Sequence, residues 1–183
     1  MSRQLWTETI WDNGGINGAA VANTTTETIL FPNATIPAWY LRDGRRFRIT
    51  ARGKISNVVT TPGNIDFKLR WGGVSGTILA QSSAIALSAT ANTDAMFEIY
   101  IDLEVRGNGP SGSVLAIGEA YCANLATLVP MMMGSAGGAS GNTPAAVTVA
   151  LDADTAISLT AHFSIANASN SITGMIFYIE ALN

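Results

Sequence analysis

An all-β, antiparallel double-sheet sandwich of the jelly-roll or Greek-key type, with an extended N-terminal arm, is the fold this sequence predicts. Three observations predict it. Ala95–Gly107 alternates without a break, with Phe97, Ile99, Ile101, Leu103 and Val105 on one side and Glu98, Tyr100, Asp102, Glu104 and Arg106 on the other. That is the period-two mark of a strand with one dry and one wet face. Comparable stretches recur on both sides of it, separated by Gly, Pro, Asn and Asp turn formers at spacings of roughly 10–20 residues. No stretch of helix length carries an apolar period of about 3.6 residues. At 183 residues the chain suits one sandwich, divided into an arm over 1–25 and a single domain over 26–183.

The arm carries Trp6 and Trp11 among small polar residues, then Asn13-Gly14-Gly15 and Asn17-Gly18 turn formers. Bulky aromatics in a terminus that would otherwise fray point to docking, either on the chain's own domain or on a neighbouring subunit. Residues 26–41 read as two short strands interrupted by Pro32 and Pro37, since proline keeps strands short or at an edge. Trp39 and Tyr40 are adjacent, so in an extended chain at least one of them faces away from the core.

After the Asp43-Gly44 turn, Arg46–Ser56 alternates, with Phe47, Ile49, Ala51, Gly53 and Ile55 opposite Arg46, Arg48, Arg52 and Lys54. With Arg45, five of the ten basic residues lie in this segment. The strip is either a solvated face or the partner of Glu98, Asp102 and Glu104 across a sheet or a subunit boundary, each pair contributing about 0.2–1 kcal/mol. Ile65–Trp71 alternates again, and Thr77–Gln81 and Ala84–Leu87 are short strands. The Gly107–Gly112 turn leads into Ser113–Asn124, where both parities are apolar or small and both faces are expected to be covered. Residues 127–146, with Met131, Met132 and Met133 in a row among Gly, Ser and Ala, break the pattern as a long excursion. Those methionines read as adaptable core filler or as an interface patch. Val147–Leu151 is a short strand. Ala156–Ala166 places Ile157, Leu159, Ala161, Phe163 and Ile165 inside, with Ser158, Thr160, His162 and Ser164 outside. Ser171–Leu182 closes the domain. The expected total is roughly eight to ten strands.

The composition narrows the function. A net charge of −3 leaves no basic surplus for phosphates, so nucleic acid is not an expected partner. No apolar run approaches a membrane span, and MSRQLWTETIW lacks the layout of a signal peptide, so synthesis in the cytoplasm is expected. One cysteine and one histidine exclude an internal disulfide and a zinc site of the multi-cysteine kind. Only 13% of residues are charged, against about 25% in typical domains, and weakly charged surfaces pack readily against neighbours.

Chemistry is sparse. His162 lies on the polar face of a strand, and Cys122 among small apolar residues reads as a buried thiol. Glu98, Asp102, Glu104 and Glu119 could in principle supply a glycosidase pair, but ion pairing with the Arg-rich strand explains the first three better. Asp152 and Asp154 lack the Gly and Glu of a calcium loop. The chain is not expected to be an enzyme or to need a cofactor or metal.

The order of segments from about residue 25 to the C-terminus resembles a family of tailed-phage virion proteins. TETILFPNATIPAWYL comes first, then RRFRITARGKIS after Asp-Gly, FKLRWGGVSGTILAQS, FEIYIDLEVRGNGPSGSVLAIGE and finally ASNSITGMIFYIEAL. The resemblance implies a jelly-roll-like head protein that decorates or cements the capsid exterior, commonly as a homotrimer, bound to the major capsid protein. It supplies no catalytic residues, and the arm lies outside it. Expected contacts with shell or subunit are Leu5, Trp6, Trp11, Trp39, Tyr40, Met131, Met132 and Met133. The alternatives are a receptor- or glycan-binding jelly roll of a head fibre or tail, with Trp39 and Tyr40 as its aromatics, and a tail or neck component.

Overall fold

The computed structural model describes residues 7–123, 131–135 and 144–182. Among them are fourteen strands: β1 (Thr7–Asp12), β2 (Val21–Ala22), β3 (Thr28–Ile29), β4 (Ala34–Ile36), β5 (Arg46–Asn57), β6 (Asn64–Trp71), β7 (Thr77–Ser82), β8 (Ile85–Ala86), β9 (Asn92–Gly107), β10 (Gly112–Cys122), β11 (Met131–Gly134), β12 (Val147–Val149), β13 (Thr155–Phe163) and β14 (Ser171–Leu182). The excess over the expected eight to ten comes from short pieces: six of the fourteen, β2, β3, β4, β8, β11 and β12, are two to four residues long, too short to display a period. One layer runs β1–β14–β5–β9–β10. The other runs β7–β6–β13, with β3 and β4 both on the outer side of β13. The pairing β1–β14–β5–β9 against β3/β4–β13–β6–β7 is the strand order of a jelly roll, as expected. β11 pairs with both β10 and β7, so the two layers form one curled ladder.

The core is the inward parity of the long strands. Phe47, Ile49, Ala51 and Ile55 of β5 lie beside Phe97, Ile99, Ile101, Leu103 and Val105 of β9, all at most 2% exposed. Phe97 reaches across the sandwich to Phe67 of β6, ring centroids 5.8 Å apart. Gly53 and Gly174 face each other on β5 and β14, and each makes room for a ring. A Cβ on Gly53 would lie 2.6 Å from Phe97, and one on Gly174 would lie 2.4 Å from Phe31. Glycine is required there by packing.

The open edge between β13 and β14 is plugged by Leu30 and Phe31. The Leu30 N–H donates to Leu159 O at 2.9 Å, and Phe31 stacks on Phe177 at 4.9 Å. The arm lies on its own domain from Thr7 to Ala22, the first of its two expected resting places. β1 pairs with β14, and Trp11 turns inward to meet Phe177 edge-on at 5.3 Å. Asn13 fastens the turn that follows. It donates to Met175 O at 2.8 Å and accepts the Phe177 N–H at 3.0 Å, at the bulge in β14.

The outer face of β6 and β13 departs from the simple alternation. Ser158 and Thr160, expected to be wet, are 1% and 0% exposed, because residues 24–36 lie over them. Ser158 Oγ donates to Asn33 Oδ1 at 2.6 Å, and Thr160 Oγ1 donates to Glu27 Oε1 at 2.6 Å. Glu27 also accepts from Lys68 Nζ at 2.9 Å and from Arg70 Nη2 at 2.8 Å. Burial pushes the Glu27 carboxyl up, but the hydrogen bonds from Arg70, Thr160 and Lys68 outweigh it and hold the group at about 2, down from 4.5. Ile165, expected inside, lies past the end of β13 and is exposed.

A carboxyl whose pKa is depressed on folding stabilises the fold above its unfolded pKa and loses that contribution as pH falls toward its folded value. From pH 7 down to about 4.5, wild type is expected to exceed Glu27→Gln in stability by about 3 kcal/mol. The gap should close as pH falls from 4.5 toward 2, as read by urea denaturation at stepped pH. A gap independent of pH contradicts the latch.

Candidate functional site

Four loops gather at one end of the sandwich: residues 37–45, 72–76, 107–112 and 150–155. Backbone bonds tie them together. Leu151 O accepts the Trp39 N–H at 3.0 Å, and the Leu151 N–H donates to Gly109 O at 3.0 Å. Trp71 Nε1 donates to Ala150 O at 2.9 Å, and the Gly72 N–H donates to Ala156 O at 2.8 Å. Asp154 Oδ1 accepts the Ala38 N–H at 2.8 Å.

Held this way, Trp39 takes a φ of +61°, a left-handed conformation that costs a bulky residue about 1–3 kcal/mol. Its side chain is 53% exposed. Tyr40 is half-buried. The Arg45 guanidinium lies 4.1 Å above its ring centroid and donates to its hydroxyl at 3.0 Å, and that hydroxyl donates to Glu8 Oε2 at 3.2 Å. Burial, offset in part by the Arg45 charge, pushes the Tyr40 phenol up. Tyr40 thus ties β1 to the turn before β5, and Trp39 alone of the pair faces solvent.

The outer face of β5–β9–β10 is the other surface of note. The register sets Arg46 opposite Glu104, Arg48 opposite Asp102 and Arg52 opposite Glu98. The first two pairs close at 3.0 and 3.2 Å, and Glu98 is bonded by both Arg52 and Tyr100. The bond from Tyr100, with the Arg52 contact, holds the Glu98 carboxyl below its usual range despite some burial. The cationic strip therefore pairs across the sheet. Beside it β10 presents Ile117 and Tyr121, 38% and 40% exposed, and β11 adds Met132 at 53%. The expectation that both faces of this segment are covered does not hold on the outer side, because no described element lies over it. A depression of about 360 Å³ lies between Arg46, Arg48, Asp102, Glu104, Ile117 and Leu182.

Glu98, Asp102 and Glu104 are each engaged by an arginine. A general acid needs a carboxyl raised toward neutrality, whereas Glu98 is lowered. His162 Nδ1 contacts Asp66 Oδ2 at 2.8 Å on the roofed face. Cys122 is buried, and burial pushes its thiol up to about 12, far from a reactive thiolate.

Of the expected contact residues, Leu5 and Trp6 lie outside the described residues, as does the side chain of Met131. Trp11 and Met133 pack inward, Tyr40 is engaged internally, and Trp39 and Met132 are exposed. Asp154 beside Trp39 was not legible as a neighbour, being far away in sequence. Ile117 and Tyr121 were missed because apolar residues on both parities of β10 read as a strand covered on both faces.

No family model and no curated protein matches this sequence. Among solved structures, the chain overlays on the CBM2 module of Lactobacillus casei BL23 phage J-1 evolved Dit with a TM-score of 0.41 at 10% identity, over 99% of this chain and 98% of that one.

The strain at Trp39 is separable from its packing. Trp39→Gly and Trp39→Ala both remove the indole, but only glycine relaxes in the left-handed region. The Gly variant is expected to be more stable than the Ala variant by about 1 kcal/mol, roughly 2–4 °C in Tm. Equal melting temperatures, or a higher one for Ala, contradict the strain.

Proposed function

We propose that this chain is a non-enzymatic recognition module of a tailed-phage virion. It engages a receptor on the host surface through the loop end that carries Trp39. The observation that carries this reading is how the aromatics are used. Trp11, an anchor that a shell-clamping arm would offer, and Tyr40, another of the expected contact residues, are engaged within the chain itself. Trp39 is held rigidly outward at about 1–3 kcal/mol of local backbone cost. Strain kept at an exposed aromatic fits a binding site, where tryptophan is favoured as an anchor. The virion assignment rests on the resemblance of residues 25–183 to tailed-phage structural proteins. The absence of catalysis is supported by the pairing of Glu98, Asp102 and Glu104 with arginines.

A second reading, capsid decoration, is favoured by one observation. Ile117, Tyr121 and Met132 form an exposed apolar strip beside the charged ladder, a mixture that suits a protein partner. On that reading the partner is the major capsid protein and the chain works as a homotrimer on the capsid exterior.

Co-sedimentation separates the two. Purified protein is expected to pellet with cell envelopes of the host bacterium, with Trp39→Ala binding at least about tenfold more weakly, and to stay in the supernatant with decoration-free capsids. Pelleting with capsids alone, unaffected by Trp39→Ala, contradicts the receptor reading and favours decoration.

A further inference from the structure

We infer that the loop end binds a saccharide, and that its ligand is a neutral or amine-bearing sugar rather than an acidic one. The inference rests on the recognition-module reading and names the ligand class of that same end. Three features of the end carry it.

The first is the platform. The Trp39 indole is exposed and its backbone is fixed from both sides, by the Trp39 N–H on Leu151 and the Ala38 N–H on Asp154. A flat apolar face already in place loses little freedom on binding. The C–H face of a pyranose is a flat apolar surface of comparable size.

The second is the polar complement. Asp154 uses Oδ1 on the Ala38 N–H, and no described hydrogen bond engages its Oδ2. An ionised carboxylate only accepts, which suits the hydroxyl rim of a sugar whose ring stacks on the indole. Asn108 stands exposed on the neighbouring loop, brought close by the Leu151 bond to Gly109; its Oδ1 accepts the Gly109 N–H at 2.7 Å, which turns its amide N–H groups outward as further donors.

The third is charge. The loops that meet here carry Asp43, Asp152 and Asp154 against Arg42 and Arg45, and Arg45 is paired with Glu8 of β1 at 3.8 Å, so the end stays net negative and disfavours acidic sugars. A protein hot spot would need a ring of water-excluding contacts around its tryptophan. On the described loops of this end Val74, 40% exposed, is the one other large exposed hydrophobic, and the apolar strip of Ile117, Tyr121 and Met132 lies elsewhere, on β10 and β11.

The test uses the full chain on an array of glucose-, galactose- and N-acetylglucosamine-terminated oligosaccharides, beside sialylated and phosphorylated ones. Binding is expected to one or more neutral members. Trp39→Ala should weaken it at least about tenfold. Asp154→Asn keeps an oxygen for the Ala38 N–H and replaces the open acceptor with a donor. It should weaken binding severalfold with an unchanged melting curve, which keeps the inference testable if Trp39→Ala folds poorly. Preference for the acidic members overturns the inference. So does a silent array when host envelopes still pellet the protein in a Trp39-dependent way; that result assigns the end to a protein receptor and leaves the recognition reading standing. A silent array with no envelope binding overturns both.

Discussion

The pairing of β5 with β9 is the constraint on which the rest depends. Eleven register partners run from Arg46 opposite Glu104 to Asn57 opposite Asn92. Because side chains alternate strictly, a slip of one residue would turn Phe97, Ile99, Ile101 and Leu103 to solvent and Arg48 and Glu98 into the core. The inner face penalises the slip by exposing apolar area at about 25 cal/mol per Å². The outer face penalises it by unmatching each arginine from its carboxylate. The two faces encode one register, and the ion pairs act as its key more than as its glue, since exposed pairs contribute only about 0–1 kcal/mol.

Everything else is placed by that pair. β14 adds to β5 through facing glycines that admit Phe97 and Phe31. β10 adds to β9 and leads, through β11, into the second layer. The same layering gathers the loops at one end, where Leu151 bonds to two of them and holds Trp39 in a conformation it would not adopt alone. The local strain of about 1–3 kcal/mol is tolerable only because the surrounding bonds over-determine it.

Much of this was legible in the residues. β5, β6, β9 and β13 declare themselves by alternation, and pairing with Glu98, Asp102 and Glu104 was one of the two readings of the Arg-rich strip. What was not legible depends on chain distant in sequence. Ser158 and Thr160 read as wet because alternation cannot show that Asn33 and Glu27 will roof them. β11 hid in the Met-Gly-Ala-rich excursion because a four-residue strand carries no period. Trp39 was expected to diverge from Tyr40 by extension, and does so through a left-handed turn. The open flank of β10 escaped notice because apolar residues on both parities read the same whether or not a partner covers them.

The most direct single measurement is a two-dimensional 1H–15N NMR titration of the labelled protein with solubilised polysaccharide from the host envelope. The account predicts that the Trp39 indole N–H and the amides of 37–45, 108–111 and 150–155 move first and together, while those of β5, β9 and β10 stay in place. Shifts centred on Ile117, Tyr121 and Met132, with the Trp39 signals unmoved, would contradict it.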